Sequence, residues 1–285
     1  MNIFYEMASR LGFYKDVKNC LLKGFTPCAV TGVSNIHKAQ TAMALSRLSP
    51  CLVICDDEAS AIRMTGDINE MAGEQLACVF PAKDLNFAYM EGVSREYEHK
   101  RLEALSLITQ GKCKIIAASM EACLQGTIPQ DKLKEFSFEI KTGGELSLEE
   151  LTNKLLAGGY TRTDQVEGQA QFSVRGSIAD IFPVQESRPV RIELWGDEVD
   201  SISYFDPESQ RRTDPIDEIM VFPALEIIFP DTDDLVTKLE ALSKSVRGSR
   251  TDKIRTNISR DIETAQSGIT PVSYTHLRAH ETDQY

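Results

Sequence analysis

Between Pro27 and about Leu124, short apolar runs alternate with stretches of helical period: CAVTG (28–32), HKAQTAMALSRL (37–48), CLVIC (51–55), a polar stretch over 59–71, and ACVFP (77–81). This βαβα order predicts parallel strands joined by crossover helices, because uninterrupted apolar runs suit strands covered on both faces. After a loop at 82–91, SREYEHKRLEALSLIT places Leu102, Leu105 and Ile108 on one helical stripe, and CKIIAAS (113–119) follows as a further strand.

From about Asp131 the pattern changes. A lone strand, FSFEI (136–140), precedes Ser147-Leu148-Glu149-Glu150, which has the form of a capping box: Ser at the N-cap and Glu three residues on. Leu148, Leu151 and Leu155 give this helix its apolar stripe, and Gly158-Gly159 supplies a left-handed stop. Short alternating runs come next: QFSVRG, SIADIFPV, VRIELW, a Gly196-Asp197 turn, and EVDSISYF closed by Asp206-Pro207. Side chains alternate along a strand, which puts Phe172 and Val174 on one face and Gln171, Ser173 and Arg175 on the other. By the same rule Val190, Ile192 and Leu194 face inward, and Arg191, Glu193 and Trp195 outward. A small antiparallel sheet with a helix on one face is expected. Beyond Phe222-Pro223, DTDDLVTKLEALSKSV (231–246) reads as a helix with acidic residues at its start, after which the register fades.

Composition narrows the picture. The 285 residues are 42% hydrophobic and 26% charged, ordinary for a globular chain long enough for two domains. No apolar run approaches a membrane span and the first residues do not form a signal peptide, so a cytoplasmic location is expected. The seven cysteines form no CxxC pair; Cys51, Cys55, Cys78 and Cys113 lie in or beside apolar strands, where a thiol packs as a small hydrophobe, and no metal site is expected. A formal charge of -12 argues against a module that grips duplex DNA by itself, which would carry a basic stripe to neutralise phosphates. The segment SYTHLRAHETDQY continues no earlier pattern and resembles translated sequencing-adapter read-through. Residues 272–285 are therefore set apart as a non-native tail, and His276 and His280 with them.

Chemistry is sparse. The stretch 29–45 has the position of a P-loop, GxxxxGK[ST], in which backbone amides cradle phosphates and a hydroxyl ligates magnesium. The corresponding residues run from Gly32 to Ala39. Gly32 and Lys38 are present, but the second glycine is His37 and the hydroxyl position is Ala39, so the loop reads as degenerate and is not expected to bind nucleotide. There is no GxSxG, HExxH or GxGxxG, and acidic pairs such as Glu149-Glu150 read as solvated helix starts; no catalytic residue is expected.

One stretch is more specific. Tyr160-x-Arg162-x-Asp164, Phe172-x-Val174-Arg175-Gly176, Asp180-Ile181-Phe182-Pro183, then RIEL (191–194), EVDSI (198–202) and Phe205-Asp206-Pro207 occur in fixed order over some fifty residues. This pattern resembles the domain shared by the excinuclease subunit UvrB and the transcription-repair coupling factors. The decayed loop at 32–39 places the resemblance with the amino-terminal region of the coupling factors, whereas UvrB carries an intact P-loop, and the resemblance spans about 1–269. It implies a degenerate helicase-like (P-loop NTPase-type) parallel-sheet domain at 27–125 and an inserted, UvrA-binding α+β domain at 131–214. An incomplete second subdomain would come from 1–26 and 215–271.

The resemblance further implies an adaptor that recruits UvrA during transcription-coupled nucleotide-excision repair. RNA polymerase and DNA would be engaged through downstream domains of a longer parent, whose motor would use ATP and magnesium; no cofactor is expected in this part. The alternative is an active, UvrB-like ATP-dependent excinuclease subunit. Carried over by motif, Arg162 and Arg175 are the expected contacts to UvrA, with Phe172 or Phe182 as a possible aromatic anchor and otherwise as core. Arg175 has a physical case of its own, since its planar fork suits paired bonds to a partner's carboxylates. The plainer reading is a solvated arginine in a local salt bridge. At Ser173 UvrB usually has a second arginine, so this chain is expected to make one charged contact fewer.

Overall fold

A computed structural model describes residues 2–83, 95–228, 232–247 and 251–266. The loop expected at 82–91 and the tail at 272–285 lie wholly or mostly outside the described residues. The chain divides into two compact units, one formed by 1–125 with 131–225 and the other by 126–130 with 226–285.

The first unit opens with helices α1 (Ile3–Arg10), α2 (Gly12–Leu22) and α3 (Asn35–Leu45). Strand β1 (Cys51–Cys55), helix α4 (Glu58–Ala72), strand β2 (Ala77–Phe80), helix α5 (Glu96–Thr109), strand β3 (Ile115–Ser119) and the short helix α6 (Met120–Leu124) follow. β1, β3 and β2 form an all-parallel sheet in that order, with Val53 and Val79 both opposite Ala117. Helix α4 starts where the Asp57 carboxylate accepts from Ser60 N at 2.6 Å and stops at Gly73, whose φ of +74° only glycine adopts without strain. Its buried Ala61, Ile68 and Met71 face the sheet, and Ala39, Met43, Ala77 and Ile115 complete that core.

Two expectations change here. CAVTG (28–32) forms no strand: its residues are exposed and join no ladder of the three-stranded sheet. An apolar run becomes a strand only where a ladder satisfies its backbone. Residues 1–26, expected to join 215–271, pack instead on α3. Ala8, Tyr14 and Ala44 form a buried cluster, and Asn2 Nδ2 donates to the carbonyls of Met71 and Ala72 at the end of α4.

The same unit continues with α7 (Gln130–Glu135), β4 (Phe138–Lys141), α8 (Leu148–Ala157) and strands β5 (Thr161–Arg162), β6 (Gln171–Arg175), β7 (Ile178–Ile181), β8 (Val190–Trp195), β9 (Glu198–Phe205), β10 (Arg212–Ile216) and β11 (Glu218–Val221). The serine half of the capping box forms, Ser147 Oγ accepting from Glu150 N at 3.1 Å, while the Glu150 carboxylate pairs with Lys154 at 2.6 Å; Gly159 takes the left-handed position after the helix, φ +85°. β4 pairs with β11 in a two-stranded ribbon, so the segment just past 214 closes onto the strand that precedes α8. The larger sheet runs β10-β9-β8-β7-β6-β5, antiparallel except for the parallel β5–β6 pair.

In the second unit α9 (Thr232–Ser245) packs on α10 (Thr251–Gln266) through Leu235, Leu239 and Ile258. α9 is the helix expected from 231–246. α10 falls where the sequence pattern fades.

Candidate docking surface

The six-stranded sheet sorts its side chains by register. Phe172 lies opposite Ile181, and Ile181 opposite Val190, in a fully buried row. One residue further along, Ser173 lies opposite Asp180, Asp180 opposite Arg191, and Arg191 opposite Ser203, which forms a polar row on the other face. Next to it run Arg175, Ile178, Glu193 and Ser201.

Asp180 is the anchor of this polar face. Its side chain is 1% exposed and accepts from Arg191 Nε at 2.6 Å, Arg191 Nη2 at 2.8 Å and Arg175 Nη2 at 2.8 Å. The bidentate grip of Arg191 fits the planar match of guanidinium to carboxylate. This hydrogen bonding to Asp180 raises the Arg191 pKa, against the opposing pull of burial. Arg191 also donates to Gln210 through both terminal nitrogens at 3.1 Å and lies 4.5 Å over the Phe205 ring. It is fixed on every side.

Arg175 is held differently. It shares one bond with Asp180, yet its side chain remains 52% exposed at the end of β6, beside the Gly176 turn with φ +60°. Its position is set by a buried carboxylate while part of its fork faces solvent, so the local salt bridge and an exposed charged edge coexist in one residue. Glu193, a neighbour on the same face, is paired with Arg212 and accepts from Ser201 Oγ at 3.2 Å.

The other expected contacts scatter. Arg162 on β5 is exposed but aligns with Phe172, which places it on the opposite face from Arg175. Phe172 has no exposed surface and cannot serve as an anchor; it belongs to the core, in the buried row with Ile181 and Val190. Phe182 is half-buried, with its backbone tied to Gln171 and Ala170. Ser173 is a correction to the alternation rule: it lies on the polar face yet is 1% exposed, and its hydroxyl donates to the carbonyl of Asp164 at 3.0 Å. The segment leading from β5 to β6 covers that face at position 173. Val174, assigned inward, is only half-buried. The sequence reading assigned no role to Arg191. Its signal is the pairing of the RIEL arginine with the DIFP aspartate, which emerges only once the β7–β8 register is known.

At the degenerate loop, Gly32 has a φ of +73°, and α3 begins at Asn35, so Lys38 and Ala39 already lie within the helix. Ser34 Oγ and His37 Nδ1 are 2.9 Å apart. Lys38 is exposed, whereas Ala39 is wholly buried in the core with Met43 and Ile68. A cavity of about 280 Å³ beside Lys38 is lined mainly by apolar side chains, among them Phe13, Val17, Val30 and Val33.

Comparison with known families assigns the second half of the first unit. Residues 138–226 match the UvrB interaction domain. The chain carries a UvrB interaction domain. Its matched bounds include β11 as well as β4, so the domain extends past 214 to take in the ribbon that the structure closes. Beyond this domain the chain is similar to the transcription-repair-coupling factor of Bacillus subtilis (strain 168), 28% identical over 266 residues, 90% of this chain and 23% of that protein. It is similar to the same factor of Staphylococcus haemolyticus, 29% identical over 82% of the chain, and of Haemophilus influenzae, 30% identical over 71% of it. The chain spans about a fifth of the length of these relatives, 18 to 23%. The resemblance read from the motifs therefore holds along the chain, and the UvrB interaction domain is where its polar sheet face and Arg175 reside. No helix among the described residues is long and apolar enough to cross a membrane.

Proposed function

We propose that this chain is the adaptor part of a transcription-repair coupling factor, and that its UvrB interaction domain recruits UvrA through the polar face around Arg175. The observation that carries the reading is the geometry of Arg175: an arginine half open to solvent, held by a buried carboxylate, in a domain whose family is defined by a repair interaction. An arginine held through one of its terminal nitrogens loses less freedom on docking than a free one, and arginine is enriched among residues that dominate interfaces. RNA polymerase and DNA would be met by further parts of the longer protein, where an ATP- and magnesium-dependent motor would act.

The all-parallel sheet with its degenerate loop is, on this reading, a helicase-like fold that no longer handles nucleotide and binds no cofactor. Ala39 in the core offers no hydroxyl to a magnesium ion, and the hollow at Lys38 is lined mainly by apolar side chains where a phosphate would need several donors. These features count against the alternative of an active UvrB-like excinuclease subunit. Two titrations test the reading together. The chain should bind UvrA saturably, and it should show no magnesium-dependent ATP affinity that Lys38→Ala abolishes; such affinity, or absence of UvrA binding, overturns it.

A further inference from the structure

A second polar feature lies away from the docking face, at the end of the parallel sheet where its strands begin. A cavity of about 390 Å³ opens there, lined by Arg47 after α3, by Glu74 and Gln75 before β2, and by Lys112 and Lys114 before β3. Three cations and one carboxylate surround it, in a chain with 43 acidic and 31 basic residues. The local charge thus runs against the sign of the whole molecule.

We propose that this cavity binds a compact phosphate-type anion carrying more than one negative charge. Arg47 is already oriented, with its guanidinium 3.5 Å over the Tyr5 ring, so it need not be ordered by the ligand. The frame is rigid: Lys114 N donates to Leu76 O at 2.9 Å, Cys51 N to Lys114 O at 2.9 Å, and Lys112 N to Leu107 O at 2.8 Å. Because these amides are used within the protein, recognition falls to side-chain charge, which favours a multiply charged ligand over a singly charged one. The volume lies in the range of small-ligand sites. Arg47 occupies one face of the Tyr5 ring, and the charge of the cavity comes from its side chains, so a phosphate group is what the cavity is built to read. A polynucleotide would need basic surface continuing beyond the cavity, which an acidic chain does not favour.

The site is separate from the degenerate loop. Gly32 lies before α3, Lys38 within its first turns and Arg47 just past its end, so Lys38 and Arg47 lie about 13 Å apart along a helix that rises about 1.5 Å per residue. Nor does it depend on the UvrA reading, since no residue of the interaction domain takes part.

The test is calorimetric titration of the 285-residue chain with pyrophosphate and with ADP at low salt, without magnesium. One-to-one binding of pyrophosphate is expected. It should weaken about tenfold or more in Lys112→Ala/Lys114→Ala and in Arg47→Gln, and persist in Lys112→Arg/Lys114→Arg, which keeps the charge. Lys38→Ala should leave it unchanged. If ADP binds more tightly than pyrophosphate, the anion comes from a nucleotide; if equally or less tightly, from a free phosphate. Absence of saturable binding by both at millimolar concentration, or affinity indifferent to Lys112 and Lys114, overturns the proposal.

Discussion

At the scale of single residues, the buried Asp180 and the half-exposed Arg175 play unequal parts in one network. Removing the carboxylate leaves Arg191, 13% exposed, without its counter-charge. Asp180→Asn should therefore cost about 3–5 kcal/mol in urea unfolding, as removal of one partner in a buried pair does. Arg175→Ala breaks a pair whose arginine is 52% exposed and should cost no more than about 1 kcal/mol. Phe172→Ala opens a cavity in a wholly buried row and should cost about 3–5 kcal/mol, so any weakening of partner binding in that variant should track its unfolding.

His99 supplies a pH handle. Burial, and next the nearby Arg95, lower its pKa, and among the described residues its Nε2 meets no hydrogen-bond partner. The folded state therefore resists its protonation, and stability should fall as pH drops below the unfolded value of about 6.5. Melting curves across that window should flatten in His99→Phe.

Alternation identified the buried row from Phe172 to Val190 because it needs only a period of two. It failed at Ser173 because it assumes that the face opposite the core is open, and here the β5–β6 connection covers it. Arg101 was missed for a related reason. Singled out by nothing in the helical pattern, it is wholly buried, donates to Pro81 O at 2.7 Å and lies 3.9 Å over Phe80. A charge satisfied by tertiary contacts leaves no mark in the local pattern.

At the scale of elements, helix ends were the most legible features, since caps are local chemistry. Ser147→Ala should cost about 1 kcal/mol by removing the acceptor for Glu150 N. Gly159→Ala should be worse. Its φ is +85°, and an added Cβ would lie 2.4 Å from Leu225 Cγ and 2.5 Å from Leu225 Cδ1, so a destabilisation above about 1 kcal/mol is expected in the same assay. Strand partners were less legible. CAVTG has the composition of a strand but no ladder, while β4 and β11, almost eighty residues apart, find each other through tertiary contacts that no local pattern encodes.

At the scale of the whole molecule, the acidic balance sets the context for its cationic features. Arg175 is an exposed arginine on a chain of net charge -12, so long-range steering by the molecule as a whole favours a basic partner surface, whereas Arg175 itself calls for a carboxylate. Binding through Arg175 should therefore rest on close contact, and its salt dependence should be shallow compared with that of a phosphate-binding protein. The domain responsible was legible from ordered motifs spread over some fifty residues, and alternation placed Arg175 outward; that Arg191, placed outward by the same rule, is held against the buried Asp180 was not, since it depends on the β7–β8 register.

The most direct measurement is the affinity of the chain for UvrA, compared with that of Arg175→Ala and Arg175→Glu variants shown to be folded by their melting curves. The account predicts a weakening of about tenfold or more in Arg175→Ala and a larger one in Arg175→Glu. Unchanged affinity in both variants would contradict it.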